Sequence, residues 1–242
     1  MKAAIKFILQ KTFGIKRYLL IFSRYKIRTL RNDKKENDFF YFLELLPKNK
    51  PGVVLDVGAN LGVMTFYMAS CSDHWQVHAI EPFPLNQFVL KANIEKYQLT
   101  NVTVNPIAIG DREGVVRMVM PVKSAVKYHG LVHVLEEGES AESGEVIEVP
   151  LKTLDQLELE GPVLGIKIDV ENYESRVIEG AHTLLTQWKP IVYCELWEND
   201  NRNKTILLME SIGYKTMVPW KGEVVMYNPN QHNTQNFIFV AD

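Results

Sequence analysis

Four acidic residues stand where apolar runs end. Asp56 lies near the end of GVVLDV, Glu81 follows QVHAI, Asp169 follows VLGIKI, and Glu195 lies in IVYCELW. Strand interiors disfavour carboxylates, and a buried charge needs a partner. Four acids at four strand ends are therefore not a background pattern. Such carboxylates can accept hydrogen bonds from ligand hydroxyls or take a proton from one of them. Asp169, Glu171 and Glu195 together also offer an oxygen set that suits Mg2+, which binds through one or two carboxylates and keeps several waters.

The first of these acids opens a turn, Asp56-Val57-Gly58-Ala59-Asn60-Leu61-Gly62. Gly58 permits a tight turn or close backbone approach, and Gly62 opens a helix whose amides can face a polar group. A dinucleotide fingerprint needs G-x-G-x-x-G. Here the middle glycine is missing, Asn60 stands in the loop, and an acid precedes the first glycine. That D-x-G-x-x-x-G form suits a cationic ligand, such as the sulfonium and amino group of S-adenosylmethionine. Glu81, followed by Pro82, lies 25 residues after Asp56 at the next strand end. A carboxylate there can accept from both hydroxyls of a ribose.

The elements that must position these groups follow from periodicity. Residues 52–57, 76–82, 102–109, 163–170 and 191–197 read as strands. Helices are predicted over 62–70, 84–97 (with Leu85, Phe88, Val89 and Ala92 on one face), 174–188 and 201–212. YKTMVPW and NFIFVA read as closing strands. Residues 111–150 break the rhythm and read as short antiparallel strands, with 136–148, which hold six Glu and no basic residue, as a solvated loop. The expected architecture is α/β, a mainly parallel sheet with helices on both faces. The arm is assigned to residues 1–47 and the sheet domain, with an irregular insertion at about 111–150, to residues 48–242.

VLDVGANLG, AIEPFP, PIAIGDREG, TLDQL and IKIDVENYESRVIEGA occur in that order over about residues 50–200. In these segments the chain resembles the FkbM-type S-adenosylmethionine-dependent methyltransferases. Asn172 stands where that family usually has Gly after DVE. Asn is the next best residue for a left-handed backbone, so the turn is expected to survive. The resemblance implies a Rossmann-like seven-stranded sheet and, most often, O-methylation of sugars or natural products. It places Asp56, Gly58, Ala59, Asn60, Gly62, Glu81 and Pro82 at the cofactor, and Ala108 and Ile109 near its adenine.

Methyl transfer asks the protein to hold an acceptor oxygen in line and to help remove its proton. Asp169 and Glu195, on adjacent strand ends, would flank the acceptor. Either a side-chain base or a metal-lowered pKa would serve, and Asp169, Glu171 and Glu195 are the candidates for both. His129 and His133 share a helical face, or a strand face with Leu131, in a region that could cover the acceptor. His is the natural base near neutral pH. Trp197 is a candidate to line an acceptor pocket or stack on a sugar, while Cys194 reads as a small buried hydrophobe.

The net charge of −2 hides an asymmetry. Residues 1–32 carry nine Lys or Arg and no acid, whereas the other 210 carry 18 basic and 29 acidic residues, a net of −11. The main domain therefore repels nucleic acid. In the arm, Lys6, Lys11, Lys16 and Arg17 break the apolar runs too often for a signal peptide or a spanning helix. Ile5, Ile8, Leu9, Ile15, Leu19 and Phe22 instead suggest amphipathic helices that pack on the domain or rest on an anionic membrane. Two scattered cysteines, Cys71 and Cys194, are expected of a reduced, cytoplasmic chain, here at the inner membrane surface if the arm is used. The expected partner is a small-molecule or glycan acceptor. Two competing readings are a nicotinamide-dependent oxidoreductase, disfavoured by the missing glycine, and a non-catalytic cofactor-binding protein, disfavoured by the retained acids.

Overall fold

The computed structural model describes residues 2–33, 36–123, 126–135 and 144–241. The chain opens with helices α1 (Lys2–Phe13), α2 (Ile15–Thr29) and α3 (Asn37–Leu45). Alternation follows as β1 (Gly52–Val57), α4 (Val63–Ala69), β2 (Trp75–Ile80), α5 (Pro84–Tyr97) and β3 (Val102–Asn105). The insertion comprises β4 (Ala108–Ile109), β5 (Gly114–Lys123), β6 (Val126–Lys127), β7 (His133–Val134) and β8 (Gly144–Lys152). Next come β9 (Val163–Ile168), α6 (Glu174–Glu179), α7 (His182–Trp188), β10 (Ile191–Glu195) and α8 (Asp200–Ser211). The closing strands are β11 (Tyr214–Trp220), β12 (Glu223–Met226) and β13 (Asn236–Ala241).

The main sheet has the order β12-β11-β13-β10-β9-β1-β2-β3. Strands β3, β2, β1, β9 and β10 are parallel, and β13, β11 and β12 pair antiparallel beyond them. The short edge strand β12 adds an eighth strand to the seven expected. The central parallel strands β1, β9 and β10 are buried along most of their length because both faces are covered. One face packs on α6, α7 and α8 through Val53, Ile166, Val177 and Leu185. The other packs on α3 and α4 through Val54, Phe39, Phe42 and Met68. Chain order reverses between β1 and β9, which makes their carboxyl ends the switch point where such sheets leave a crevice.

Several local expectations change. The predicted strand at 102–109 divides: β3 stays in the main sheet, and β4 leaves it to pair with β8. In α5 the inward face is Asn86, Val89, Leu90 and Asn93, while Phe88 is 42% exposed. The helix predicted over 174–188 is two helices. A Cβ on Gly180 would lie 1.9 Å from the Gly110 carbonyl oxygen, and this close crossing interrupts the helix. The insertion is a second sheet built on a long antiparallel β5–β8 ladder. Of the acidic loop expected at 136–148, Gly144–Glu148 belong to β8, and 136–143 lie outside the described residues.

The first helices pack on the sheet domain. Tyr18 and Leu19 of α2 meet Leu61 and Val89. Asn93 donates to Ser23 Oγ and to the Leu61 carbonyl, each at 2.9 Å, which explains why this polar residue faces inward. Gln10 exchanges two 3.1 Å hydrogen bonds with the backbone of Lys127 in β6. Helix α3 is part of the sheet domain's own core, with Phe39 and Phe42 against Tyr193 of β10. Among the described residues no helix is long and apolar enough to cross a membrane.

Candidate active site

The four strand-end acids lie on four adjacent parallel strands, in the order β10, β9, β1 and β2. A cavity of about 260 Å³ sits over these ends and is lined by Gly58, Asn60, Glu81, Pro82, Ala108, Ile109, His129, Asp169, Glu171 and Glu195. The insertion closes its far side with Met118, Val132 and Val134. The sheet thus gathers most of the residues singled out from the sequence into one place.

The turn after β1 is fixed from three sides. Gly58 has φ of +79°, and a Cβ there would lie 1.9 Å from the Asp169 carbonyl oxygen, so no side chain fits. Lys167 Nζ donates to the Gly58 carbonyl at 2.8 Å. Asn60, left-handed at φ of +50°, donates its amide to Glu81 Oε2 at 2.8 Å. Ala59 is buried, its amide donating to the Ile80 carbonyl at 3.0 Å, and Gly62 starts α4.

Asp56 itself is behind the cavity wall. It accepts a 2.6 Å hydrogen bond from Thr65 and pairs with Lys167, so its charge is spent inside the protein and not on a ligand. Lys167 is flanked by Asp56 at 3.3 Å and Asp169 at 3.4 Å. Burial pulls the lysine pKa down, but the two carboxylates outweigh it and the net shift is upward.

Glu81 is almost fully buried. Its Oε1 accepts from the Phe83 amide at 2.8 Å and from Asn86 at 3.4 Å. Burial raises its pKa to about 7 despite these donors and the Asn60 amide. The Asn86 side-chain oxygen, in the same cavity wall, is a buried acceptor with no hydrogen-bond partner among the described residues.

Glu171 and Asn172 are consecutive left-handed residues, at φ of +53° and +72°. Asn172 thus adopts the backbone for which a glycine is expected, and the turn survives. Glu174, buried at the start of α6, holds that turn by accepting from the amides of Val170 at 3.3 Å and Asn172 at 3.2 Å. Asn201 donates to its other oxygen at 2.5 Å. Glu171 has its pKa raised to about 8 by burial and then by the charges of Asp169, Glu195 and Glu174. Glu195 is raised to about 7, by burial first and Asp169 second. Like charge thus adds to burial in keeping Glu171 and Glu195 protonated to higher pH.

His129 lines the cavity with its Nδ1 3.4 Å from Asn60 Oδ1. Burial, with the nearby charge of Lys6, lowers its pKa to about 4, so the ring is neutral at ordinary pH. Its neighbour in the sequence reading is elsewhere. His133 lies in β7, opposite Val119, with Nδ1 2.9 Å from the Leu131 carbonyl, and lines no described cavity. The two histidines do not share a face, because the short 3-10 helix His129–Leu131 ends before β7 begins. Trp197 is also outside the cavity and 46% exposed, whereas Cys194 is a buried hydrophobe in the core, as expected. Although Asp169, Glu171 and Glu195 line one cavity, their side chains do not meet at an ion-sized point. Among the described residues no group of three His, Cys, Asp or Glu is placed to hold an ion.

The motifs assign Glu174 no part in the site, and Lys167 only that of an ion-pair partner for the strand-end acids. Lys167 was visible as a lone charge inside the apolar run GIKID, and Glu174 as a second acid three residues after Glu171. A second cavity, of about 160 Å³, adjoins the first at Gly58, Asn60, His129 and Asp169. Its outer wall is Phe22, Lys26 and Leu30 of the arm together with Glu36. Phe22 meets the His129 ring edge-on, with centroids 5.8 Å apart. No local motif signals this, since the contact joins residues far apart in sequence.

A parallel sheet with this switch point, an acid-led glycine turn after its first strand and an acid after its second is a Rossmann-like fold of the methyltransferase type. Residues 56–216 match the family model described as the methyltransferase FkbM domain, and the chain belongs to this family of S-adenosylmethionine-dependent methyltransferases. It is 31% identical over 157 residues to the 31-O-demethyl-FK506 methyltransferase FkbM of Streptomyces tacrolimicus. That match covers 54% of this chain and 60% of the relative's length. Among solved structures it is similar to a methyltransferase FkbM from Methylobacillus flagellatus KT, with a TM-score of 0.53 and 14% identity, over 95% of this chain and 59% of that one. A putative methyltransferase from Streptococcus mutans in complex with SAH aligns with a TM-score of 0.50 and 10% identity, over 84% of this chain and 94% of that one. Both structures share the fold.

Proposed function

We propose that this chain transfers the methyl group of S-adenosylmethionine to a hydroxyl of a sugar, glycan or natural product. The observation that carries the reading is the convergence of Glu81, Asp169, Glu171 and Glu195 on one cavity at the switch point of the sheet. The methyltransferase family of the chain favours this over a nicotinamide enzyme. The name of the Streptomyces relative, an O-methyltransferase of a natural product, supports oxygen as the acceptor atom.

The residues present fit the cofactor. The unpartnered Asn86 oxygen and the Glu81 carboxylate offer acceptors for ribose hydroxyls. Ala108 and Ile109 offer an apolar wall for an adenine, and Gly58 with Asn60 keeps the turn open beside them. S-adenosylmethionine, when bound, supplies an electrophilic methyl carbon on a sulfonium. The chain's own work is to align the acceptor oxygen and receive its proton. Glu195, at about 7, is partly ionised near neutral pH and can take that proton. Glu171, at about 8, is mostly protonated there and can donate a hydrogen bond to the acceptor. Neutral His129 holds Asn60 and shapes the cleft; with a pKa of about 4 it is a poor base.

Calorimetry with S-adenosylhomocysteine tests the cofactor half. Tritiated-methyl transfer to fractionated extract of the source cell, with mass spectrometry of the labelled product, tests the acceptor half. Absence of binding would sink the first half. Labelling confined to nitrogen or carbon would sink the second, and binding without any transfer would favour a non-catalytic role.

A further inference from the structure

We infer that the outer face of α1 and α2 docks on an anionic membrane surface. The inner face of the arm is already used: Tyr18, Leu19, Ser23 and Ile27 are buried against the sheet domain. That packing leaves a second apolar face. Ile8 of α1 is 59% exposed, and Ile21 and Tyr25 of α2 are 61% and 63% exposed. Phe7 and Phe13 are exposed as well.

Basic residues share this surface. Arg17, Ile21, Tyr25 and Arg28 are all exposed and follow spacings of four, four and three, which puts them on one stripe of α2. Exposed Lys11 lies one turn from Phe7 and Ile8 on α1. No acid occurs in residues 1–32, while the rest of the chain carries a net charge of −11. An anionic surface therefore attracts the arm, while the net charge of the remaining residues opposes their approach, which favours an arm-first encounter. The apolar side chains distinguish lipid from a polyanion such as RNA. Ile8, Phe13 and Ile21 gain by entering the headgroup region, and a phosphate backbone offers them nothing comparable.

Flotation of the full chain tests this, using phosphatidylcholine vesicles with and without one third phosphatidylglycerol. The expected result is flotation at low salt with the anionic vesicles alone, lost as salt shortens the screening length toward about 3 Å at 1 M. Each exposed Arg near the surface contributes about fivefold in affinity. Arg17→Glu with Arg28→Glu should therefore weaken binding by well over tenfold. Ile21→Glu should weaken it too, while Leu207→Glu, an equally exposed apolar site on α8, should not. All four positions are solvent-facing, so each variant should keep the parent's circular dichroism spectrum, which is the check on folding. The inference is overturned if the intact chain stays at the bottom of the gradient, if it floats equally with neutral vesicles, or if Leu207→Glu acts like Ile21→Glu. Retention by RNA without flotation, or a two-chain mass in solution without flotation, reassigns the face and also overturns it.

Discussion

Lys167 Nζ lies 3.3 Å from Asp56 Oδ1, in a pair of which 3% and 0% of the side chains are exposed. It ties β9 to β1 across the switch point, and the same ammonium reaches the Gly58 carbonyl and Asp169. One buried cation therefore sets both the turn after β1 and the acid after β9. Removing one partner of a buried pair leaves the other charge uncompensated and costs roughly 3–5 kcal/mol. Lys167→Met should lose about that much in urea unfolding. Lys167→Met with Asp56→Leu should recover part of it, because both charges are then gone. A double variant no more stable than Lys167→Met would mean that the ion pair is not what the lysine supports.

Glu81 should carry cofactor affinity. It is held by the amides of Asn60 and Phe83, which fix its position before any ligand arrives. Two charge-assisted hydrogen bonds to a ribose would be lost in Glu81→Ala, roughly 2–4 kcal/mol. S-adenosylhomocysteine should then bind at least tenfold more weakly by calorimetry. Unchanged affinity in a folded Glu81→Ala protein would reject the ribose assignment.

Strand-end acids were legible in the sequence because a carboxylate within an apolar strand demands a reason. The turn was legible because glycine and asparagine mark left-handed backbone, and Asn172 at φ of +72° bears that out. What escaped detection depends on contacts between distant residues. Periodicity misplaces the inward face of α5 because it counts apolar residues, whereas Asn93 is buried by hydrogen bonds to Ser23 and Leu61. The helix over 174–188 kept its 3.6-residue period through Gly180, and the break comes from Gly110 crossing above it. Spacing alone pairs His133 with His129, but His129 opens the short 3-10 helix and His133 lies in β7 beyond its end. The arm's share in the second cavity, through Phe22, had no signal short of the fold itself.

The acid cluster should make the protein less stable as pH rises. Glu171 has its pKa raised to about 8, above its ordinary value near 4.5. The folded state therefore holds a proton that the unfolded state releases, and stability falls with pH between those two values. The stabilisation is complete below about 4.5 and gone above about 8. Glu171 is partly open to solvent, so its share is discounted to about 1–2 kcal/mol. Glu171→Gln should flatten the decline and raise the melting temperature at pH 9 by a few degrees. Parallel melting curves of the two proteins between pH 5 and pH 9 check this. A parent protein whose melting temperature rises over that interval would contradict the sign.

The catalytic assignment rests on Asp169 and Glu195, whose strands are neighbours and whose side chains face one cavity. Asp169→Asn and Glu195→Gln should fold normally yet slow methyl transfer by about 100-fold, the usual scale for loss of an acid–base group. If Glu195 is the base, the rate rises with pH through about 7, as its carboxyl ionises, and then levels. That limb should vanish in Glu195→Gln, which a merely structural residue would not cause. Asp169 pairs with Lys167, so its loss also releases a lysine contact, and binding of S-adenosylhomocysteine by Asp169→Asn separates a positional effect from a chemical one. A metal would act differently, by lowering the pKa of a bound oxygen. Because the acids do not converge on an ion-sized point, EDTA should leave activity within a few-fold. Activity lost to EDTA and restored by Mg2+ would return these carboxylates to the role of ligands, and near-parental rates in both variants would remove them from the chemistry.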